Sequence, residues 1–260
     1  ISADVITTGT VNVNLPGTYT LSYNVNDAAG NAAAIITRDV VIADTTAPVI
    51  NLTGNSTVNV EQGSSYSDAG ATASDNVDGN MTGSIIVSGD IVDANTAGTY
   101  IIRYDVTDTA TNAATQVIRT VIVADTTIPV ITLLGVTPTN HEQGTTYIEL
   151  GATATDNIDG DISISVAASG AVNVNAASTY TLTYNVSDGA GNAAVAVTRE
   201  VIVADSAPPI ISLVGGSIVS HEQGTVYSDV GATAIDTIDG DVSANIVTTG
   251  TVDINTAGSY

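Results

Sequence analysis

Polar and apolar residues alternate along several short stretches of the chain. Tyr100, Ile102, Tyr104 and Val106 share one side. Thr99, Arg103, Asp105 and Thr107 share the other, with Ile101 the one apolar intruder. A period of two marks a half-buried strand. The pattern returns as Tyr19, Leu21, Tyr23 and Val25, and as Tyr180, Leu182, Tyr184 and Val186. Around the central copy, apolar and β-branched residues predict strands at Pro48 to Leu52, Val58 to Val60, Ala71 to Ala73, Ile85 to Val87 and Gln116 to Val123. Pro48 must sit at a strand start or edge. Turn residues separate these strands at Glu61-Gln62-Gly63, Asp75 to Gly79 and Thr107 to Asn112. No segment shows a period of about 3.6, so no helix is expected. Roughly six or seven short strands separated by such turns predict a β-sandwich.

The set of strands recurs. DTTAPVI begins at Asp44, DTTIPVI at Asp125 and DSAPPII at Asp205, spacings of 81 (125 − 44) and 80 (205 − 125) residues. EQG at Glu61, Glu142 and Glu222, and the D-x-x-D-G turns at Asp75, Asp156 and Asp236, keep the same register. A fixed period of this size means an array of similar units. The chain divides into the back half of a repeat (1–43), two complete repeats (44–124 and 125–204) and the front half of another (205–260). Ile1 to Tyr19 aligns with Val242 to Tyr260 at an offset of 241 residues, three periods. Two readings follow. The chain is a window on a longer array, or the halves of successive chains complete one domain and build a head-to-tail filament. The overlap, one strand present twice, weighs against the second. The start at Ile1 reads as a fragment or processed piece.

Composition narrows the functional classes. The net charge is −23, from 27 acids against 4 basic residues, all arginine. Residues 44–124 carry nine acids and two arginines (2 − 9 = −7); residues 125–204 carry eight and one (1 − 8 = −7). The charge belongs to every complete repeat, not to a tail. Such a surface repels nucleic acid and anionic lipid and favours divalent cations. Cysteine is absent, which removes disulfides and thiolate metal sites. No apolar run is long enough to span a membrane as a helix.

Ala97-Gly98-Thr99-Tyr100, ahead of the alternating strand, resembles the tyrosine-corner region of immunoglobulin-like domains. The wider pattern runs D-x-x-x-P-x-I, EQG, Y-x-D-x-G-A-x-A, D-x-x-D-G, G-x-Y, D-x-x-x-N. It resembles the bacterial Ig-like repeats of large surface and secreted proteins, and a related module found in tandem in some pesticidal crystal toxins. The resemblance covers essentially the whole chain. It implies an all-β fold of tandem immunoglobulin-like β-sandwich domains in an elongated array, at the cell surface or outside the cell. The expected role is structural, an extender or stalk of a surface adhesin or extracellular fibre, with neighbouring repeats as its partners. The alternatives are a glycan- or protein-binding module and a non-catalytic appendage of a secreted toxin or hydrolase. Any surface or glycan ligand is expected outside this stretch.

Ig-like topology would bring the linker, the D-x-x-D-G turn and the D-x-x-x-N loop to one pole. The first complete repeat would gather Asp44, Asp75, Asp78, Asp108 and Asn112. The second would gather Asp125, Asp156, Asp159, Asp188 and Asn192, and the last half Asp205, Asp236 and Asp239. Converging carboxylates repel unless a cation sits among them. Calcium, which takes six to eight oxygen ligands, suits such loops. Its role would be to stiffen the joint between domains. The alternative is turn chemistry alone, since Asp and Asn satisfy local backbone groups. An EF-hand is excluded, because Val77 and Gly79 stand where that loop needs oxygen ligands.

No enzymatic set emerges. His141 and His221 stand where the first complete repeat has Val60, and read as exposed turn residues rather than catalytic bases. A nucleophile–His–acid set would need a distinctive serine near a histidine, and no such serine stands out. Glu61, Glu142 and Glu222 either cap their turn or touch the next repeat. The tyrosines read as core and corner residues; without Trp or Phe a sugar-stacking face is poorly supported. The sequons at Asn51, Asn55, Asn80 and Asn185 are of a kind that chance supplies in a Thr-rich chain.

Overall fold

A computed structural model of the chain describes residues 4–260. It divides into two compact units, Ile1–Thr126 and Thr127–Tyr260. Apart from 3-10 turns, the described residues form strands and loops only.

In the first unit, β1 (Ile6–Thr8), β2 (Gly17–Asn24) and β3 (Ile36–Ile42) form one antiparallel sheet in that order. Next come β4 (Val49–Leu52), β5 (Thr57–Glu61), β6 (Ala71–Asp75), β7 (Gly79–Asn80), β8 (Ile86–Gly89), β9 (Gly98–Asp105) and β10 (Val117–Ala124). These build two sheets, β4-β6-β7 and β5-β10-β9-β8. Strand β5 joins β10 in parallel, Val60 beside Val123; the other pairings in these sheets are antiparallel. Ile50 and Ala73 from one sheet meet Val60, Ile102, Tyr104, Val121 and Val123 from the other in one buried core. The alternating strand faces as its pattern requires: Ile102, Tyr104 and Val106 are buried, and Arg103 and Asp105 are not.

The second unit repeats the plan. Its strands are β11 (Val130–Leu133), β12 (Thr139–Glu142), β13 (Ala152–Asp156), β14 (Gly160–Asp161), β15 (Ala167–Ser169), β16 (Ser178–Asn185) and β17 (Val197–Ala204). They form sheets β11-β13-β14 and β12-β17-β16-β15. Then β18 (Ile210–Leu213), β19 (Ala232–Asp236) and β20 (Gly240–Asp241) form a sheet of their own. The two-residue strands β7, β14 and β20 and the 3-10 turns after them escape the sequence pattern, being too short to show a period.

Four tyrosines lock the same corner. Tyr100 donates its hydroxyl to the carbonyl of Thr96 at 2.9 Å, and Tyr19, Tyr180 and Tyr260 donate to Leu15, Ala176 and Thr256 at 2.8, 2.9 and 2.8 Å. The ring covers apolar neighbours while its hydroxyl satisfies a backbone acceptor four residues back.

A buried arginine ties the two sheets of each complete repeat, which composition alone did not show. Arg119 on β10 is only 1% exposed. It pairs with Asp68 and donates to the carbonyls of Asn55 and Gly70 at 3.1 Å each. Tyr104 and Tyr66 donate to the same aspartate at 2.6 and 3.1 Å. Arg199 repeats the arrangement with Glu149 at 3.0 Å.

Candidate metal centre

The linker into the first complete repeat, the β6–β7 turn and the β9–β10 loop meet at one pole. Asp44, Asp75, Asp78 and Asp108 each bring a carboxylate oxygen there, all within 4.8 Å of one another. Local backbone chemistry builds the cluster. Asp75 Oδ1 accepts from the N–H groups of Val77 and Asp78 at 2.7 and 3.0 Å, a side-chain-capped turn. Those two donors hold the Asp75 carboxyl below its ordinary range. Asp108 accepts from the backbone and side-chain N–H of Asn112 at 2.6 and 2.7 Å. Asp78 accepts from the backbone N–H and hydroxyl of Thr109 at 2.8 and 2.9 Å, bridging the two loops. Asn112 also donates to the Asp44 carbonyl.

Two oxygens remain over. Asp44 Oδ2 and Asp75 Oδ2 are buried and have no hydrogen-bond partner. A buried carboxylate oxygen without a donor is costly, and more so beside other carboxylates. Turn chemistry explains Asp75 Oδ1 but leaves Asp75 Oδ2 unexplained.

The second unit carries the same loops. Asp156 Oδ1 accepts from the N–H groups of Ile158 and Asp159 at 2.8 and 3.1 Å, while its Oδ2 is buried without a partner. Asp188 lies beside it, with ligand oxygens of the two within 4.8 Å. Burial works against ionisation of Asp188, yet the donors of Asn192 hold its carboxyl below the ordinary value. Asp159 accepts from the Gly189 N–H. Asp125 directly follows β10 in the first unit and is buried.

In the linker and turn that follow the second complete repeat, Asp205, Asp236 and Asp239 bring carboxylate oxygens within 4.8 Å of one another. Burial, then repulsion from Asp236, Glu142 and Asp239, pushes the Asp205 carboxyl up. Backbone donors from Asp239 and Ile238 pull Asp236 down.

Some contacts lie outside the expected set. Asp27 and Asn31 form a further copy of the D-x-x-x-N loop, at 2.8 and 2.9 Å, which the spacing of 81 residues (108 − 27) would have revealed. Glu61 reaches the linker that follows: its carboxylate accepts from the Thr126 N–H at 3.1 Å. Glu142 accepts from the Ser206 N–H at 3.2 Å. Each glutamate thus pins the linker that leaves its repeat. His141 is a correction of another kind. It lies in β12, half-buried, its ring edge-on to Tyr147 at 5.2 Å, because it fills the place that Val60 takes in the core of the first complete repeat. His221 is exposed, as expected.

The four sets of strands correspond to four matches to one family, described as bacterial surface protein, Ig-like domain, over residues 1–42, 50–123, 131–203 and 211–260. The chain belongs to this family. Asp44, Asp125 and Asp205 fall in the linkers between the Ig-like matches, whereas Asp75, Asp108 and Asp236 fall inside them. The first and last carboxylate clusters therefore combine linker and domain. No curated protein matches the chain. Among solved structures, it is similar to a lipoprotein from Bacteroides thetaiotaomicron (14% identity, TM-score 0.28), covering 58% of this chain and 99% of that one. It is also similar to a structure of a catalytic domain with two CBM51 domains from Clostridium perfringens ZmpB (15% identity, TM-score 0.27), covering 85% of this chain and 31% of that one. Superpositions this loose carry no argument about function.

Proposed function

We propose that the chain is a non-catalytic spacer in a bacterial surface protein, an extender or stalk whose joints are stiffened by calcium. The carrying observation is the seam cluster of Asp44, Asp75, Asp78 and Asp108, with two buried oxygens that no protein donor satisfies. All its ligand atoms are hard oxygens, on irregular loops, as calcium requires. Asp44, Asp75, Asp78 and Asp108 would hold the ion in the first unit, and Asp205, Asp236 and Asp239 in the second. The ion would neutralise the carboxylates and tie each linker to its domain. Removing it would leave converging negative charges at a short, proline-bearing linker.

The repeat architecture supports the spacer reading, because stacked units extend reach without a dedicated site. The family's description supports a place at the bacterial surface, and the charge of −23 would oppose sideways association of such an array. Thermal unfolding with calcium and then with EDTA tests the reading. The midpoint should rise with calcium; equal midpoints would refute the joint.

A further inference from the structure

In each complete repeat the strand that leaves is bonded to the segment that enters. Strand β5 runs parallel to β10, Thr57 beside Thr120 and Glu61 beside Ala124. Asp44, on the entering linker, meets Asp108 of the β9–β10 loop, so the chain enters at the end where β10 begins. It leaves at the other end, past Ala124. Tension between these points draws β5 back toward the entry and β10 out through the exit. The two neighbours slide in opposite directions along their length, and the bonds between them are loaded together. Pulling the same strands apart from one end would load those bonds one at a time.

The buried arginine sits across this sheared pair. Residues 53–56 carry the chain from β4 to β5. Arg119 on β10 donates to the carbonyls of Thr53 and Asn55 in that crossing, at 2.5 and 3.1 Å. Backbone bonds flank it: the Thr120 N–H donates to the Ser56 carbonyl at 2.8 Å, and the Gln62 N–H to the Ala124 carbonyl at 2.9 Å. The second complete repeat is built alike. There β12 runs parallel to β17, and Arg199 on β17 reaches the crossing from β11 to β12. It donates to the Leu134 carbonyl and, at 3.2 Å, to that of Val136. Pairing with Asp68 or Glu149 occupies only part of each guanidinium; much of the rest of the fork goes to the entering segment. Bonds from a charged donor are stronger than backbone ones. Both arginines are 1% exposed, so little water is at hand to replace a bond that stretches.

We propose that Arg119 and Arg199 are force-bearing staples: under end-to-end tension each holds the exiting strand to the entering crossing and sets how long its repeat survives. The proposal rests on the spacer reading, in which pull passes from repeat to repeat, and not on calcium. A planar guanidinium spans two carbonyls and a carboxylate at once. A lysine ammonium in its place keeps the charge opposite the acid but cannot bridge the crossing. The conservative change therefore separates the staple from the ion pair.

Force-clamp measurements on the 260-residue chain, held by its two ends in EDTA, test the staple, because forced unfolding reads the unfolding rate. Arg119→Lys should shorten the lifetime of one complete repeat at fixed force at least about tenfold, the scale of losing a hydrogen bond to a charged group. The other repeat should keep its lifetime, and Arg199→Lys should do the reverse. The chain has no cysteine, so Ser65→Cys and Thr127→Cys, both at exposed positions, supply handles that peel β5 from β10 at the exit end. Peeled that way, the wild-type repeat should give way sooner than it does end to end, and Arg119→Lys should shorten its lifetime less. The wild-type comparison needs no arginine variant to fold. An unchanged end-to-end lifetime in Arg119→Lys overturns the staple, as does an equal loss in both directions of pull, the mark of a merely structural arginine. Wild-type repeats that yield as readily end to end as when peeled overturn the staple and the spacer reading together.

Discussion

Asn112 donates one side-chain N–H to Asp108 at 2.7 Å and another to the backbone carbonyl of Asp44 at 3.2 Å. One amide thus fastens the β9–β10 loop to the linker entering the repeat. Asn112→Ala should cost about 1–2 kcal/mol, the scale of losing hydrogen bonds that include one to a charged group. Urea unfolding of the full chain would measure it. The variant should also weaken any response to calcium, because Asp44 loses its tether.

Arg119 and Asp68 give a pH dependence. Burial opposes ionisation of Asp68, but Tyr104 and Arg119 together hold its carboxyl below the ordinary value. The folded state therefore binds that proton less readily than the unfolded chain. The stabilisation is present above about pH 3.9, the unfolded value, and is lost as the pH falls through the lower folded value. Arg119→Met should destabilise by about 3 kcal/mol at neutral pH, since a buried pair is broken from one side. Its unfolding midpoint, measured from pH 7 to pH 2, should fall less steeply than that of the wild type.

The glutamate–linker contact makes a separate prediction. The Ser206 hydroxyl and backbone N–H hold the Glu142 carboxyl below its ordinary 4.5. The Ser206 amide resonance should titrate with a midpoint below that value, and Glu142→Gln should abolish the titration while leaving the repeat folded. A midpoint at or above 4.5 would mean that the contact does not persist in solution.

Thr111 is the one described non-glycine residue with positive φ, at 75°, where the matching Gly30 and Gly191 sit at 88° and 95°. A β-branched residue there is strained by about 1–3 kcal/mol. Thr111→Gly relieves that strain but adds freedom to the unfolded chain. The net gain should be about 1 kcal/mol, read as a raised unfolding midpoint.

Much of this was legible in the sequence, because it follows from periodicity. The run from Tyr100 to Val106 shows its buried face by alternation, and the 81- and 80-residue spacings place Asp75, Asp156 and Asp236 in equivalent turns. The arginine core was not legible. Arg119 and Asp68 are 51 residues apart, and an arginine in a strand reads as a polar outer position until its inward partners are seen. The role of Glu61 is not legible locally, because its donor, Thr126, lies 65 residues away. His141 read as exposed because its turn-like neighbours outweighed the fact that its counterpart was a core valine.

Calcium titration calorimetry on the metal-free chain tests the central claim most directly, with Asp75→Ala as the comparison. Asp75 carries both a turn-forming oxygen and a buried oxygen without a partner. The expected result is saturable calcium binding by the wild type, with one site lost or at least about tenfold weakened in the variant. No saturable binding, or identical titrations for the two proteins, would contradict the calcium-stiffened joint.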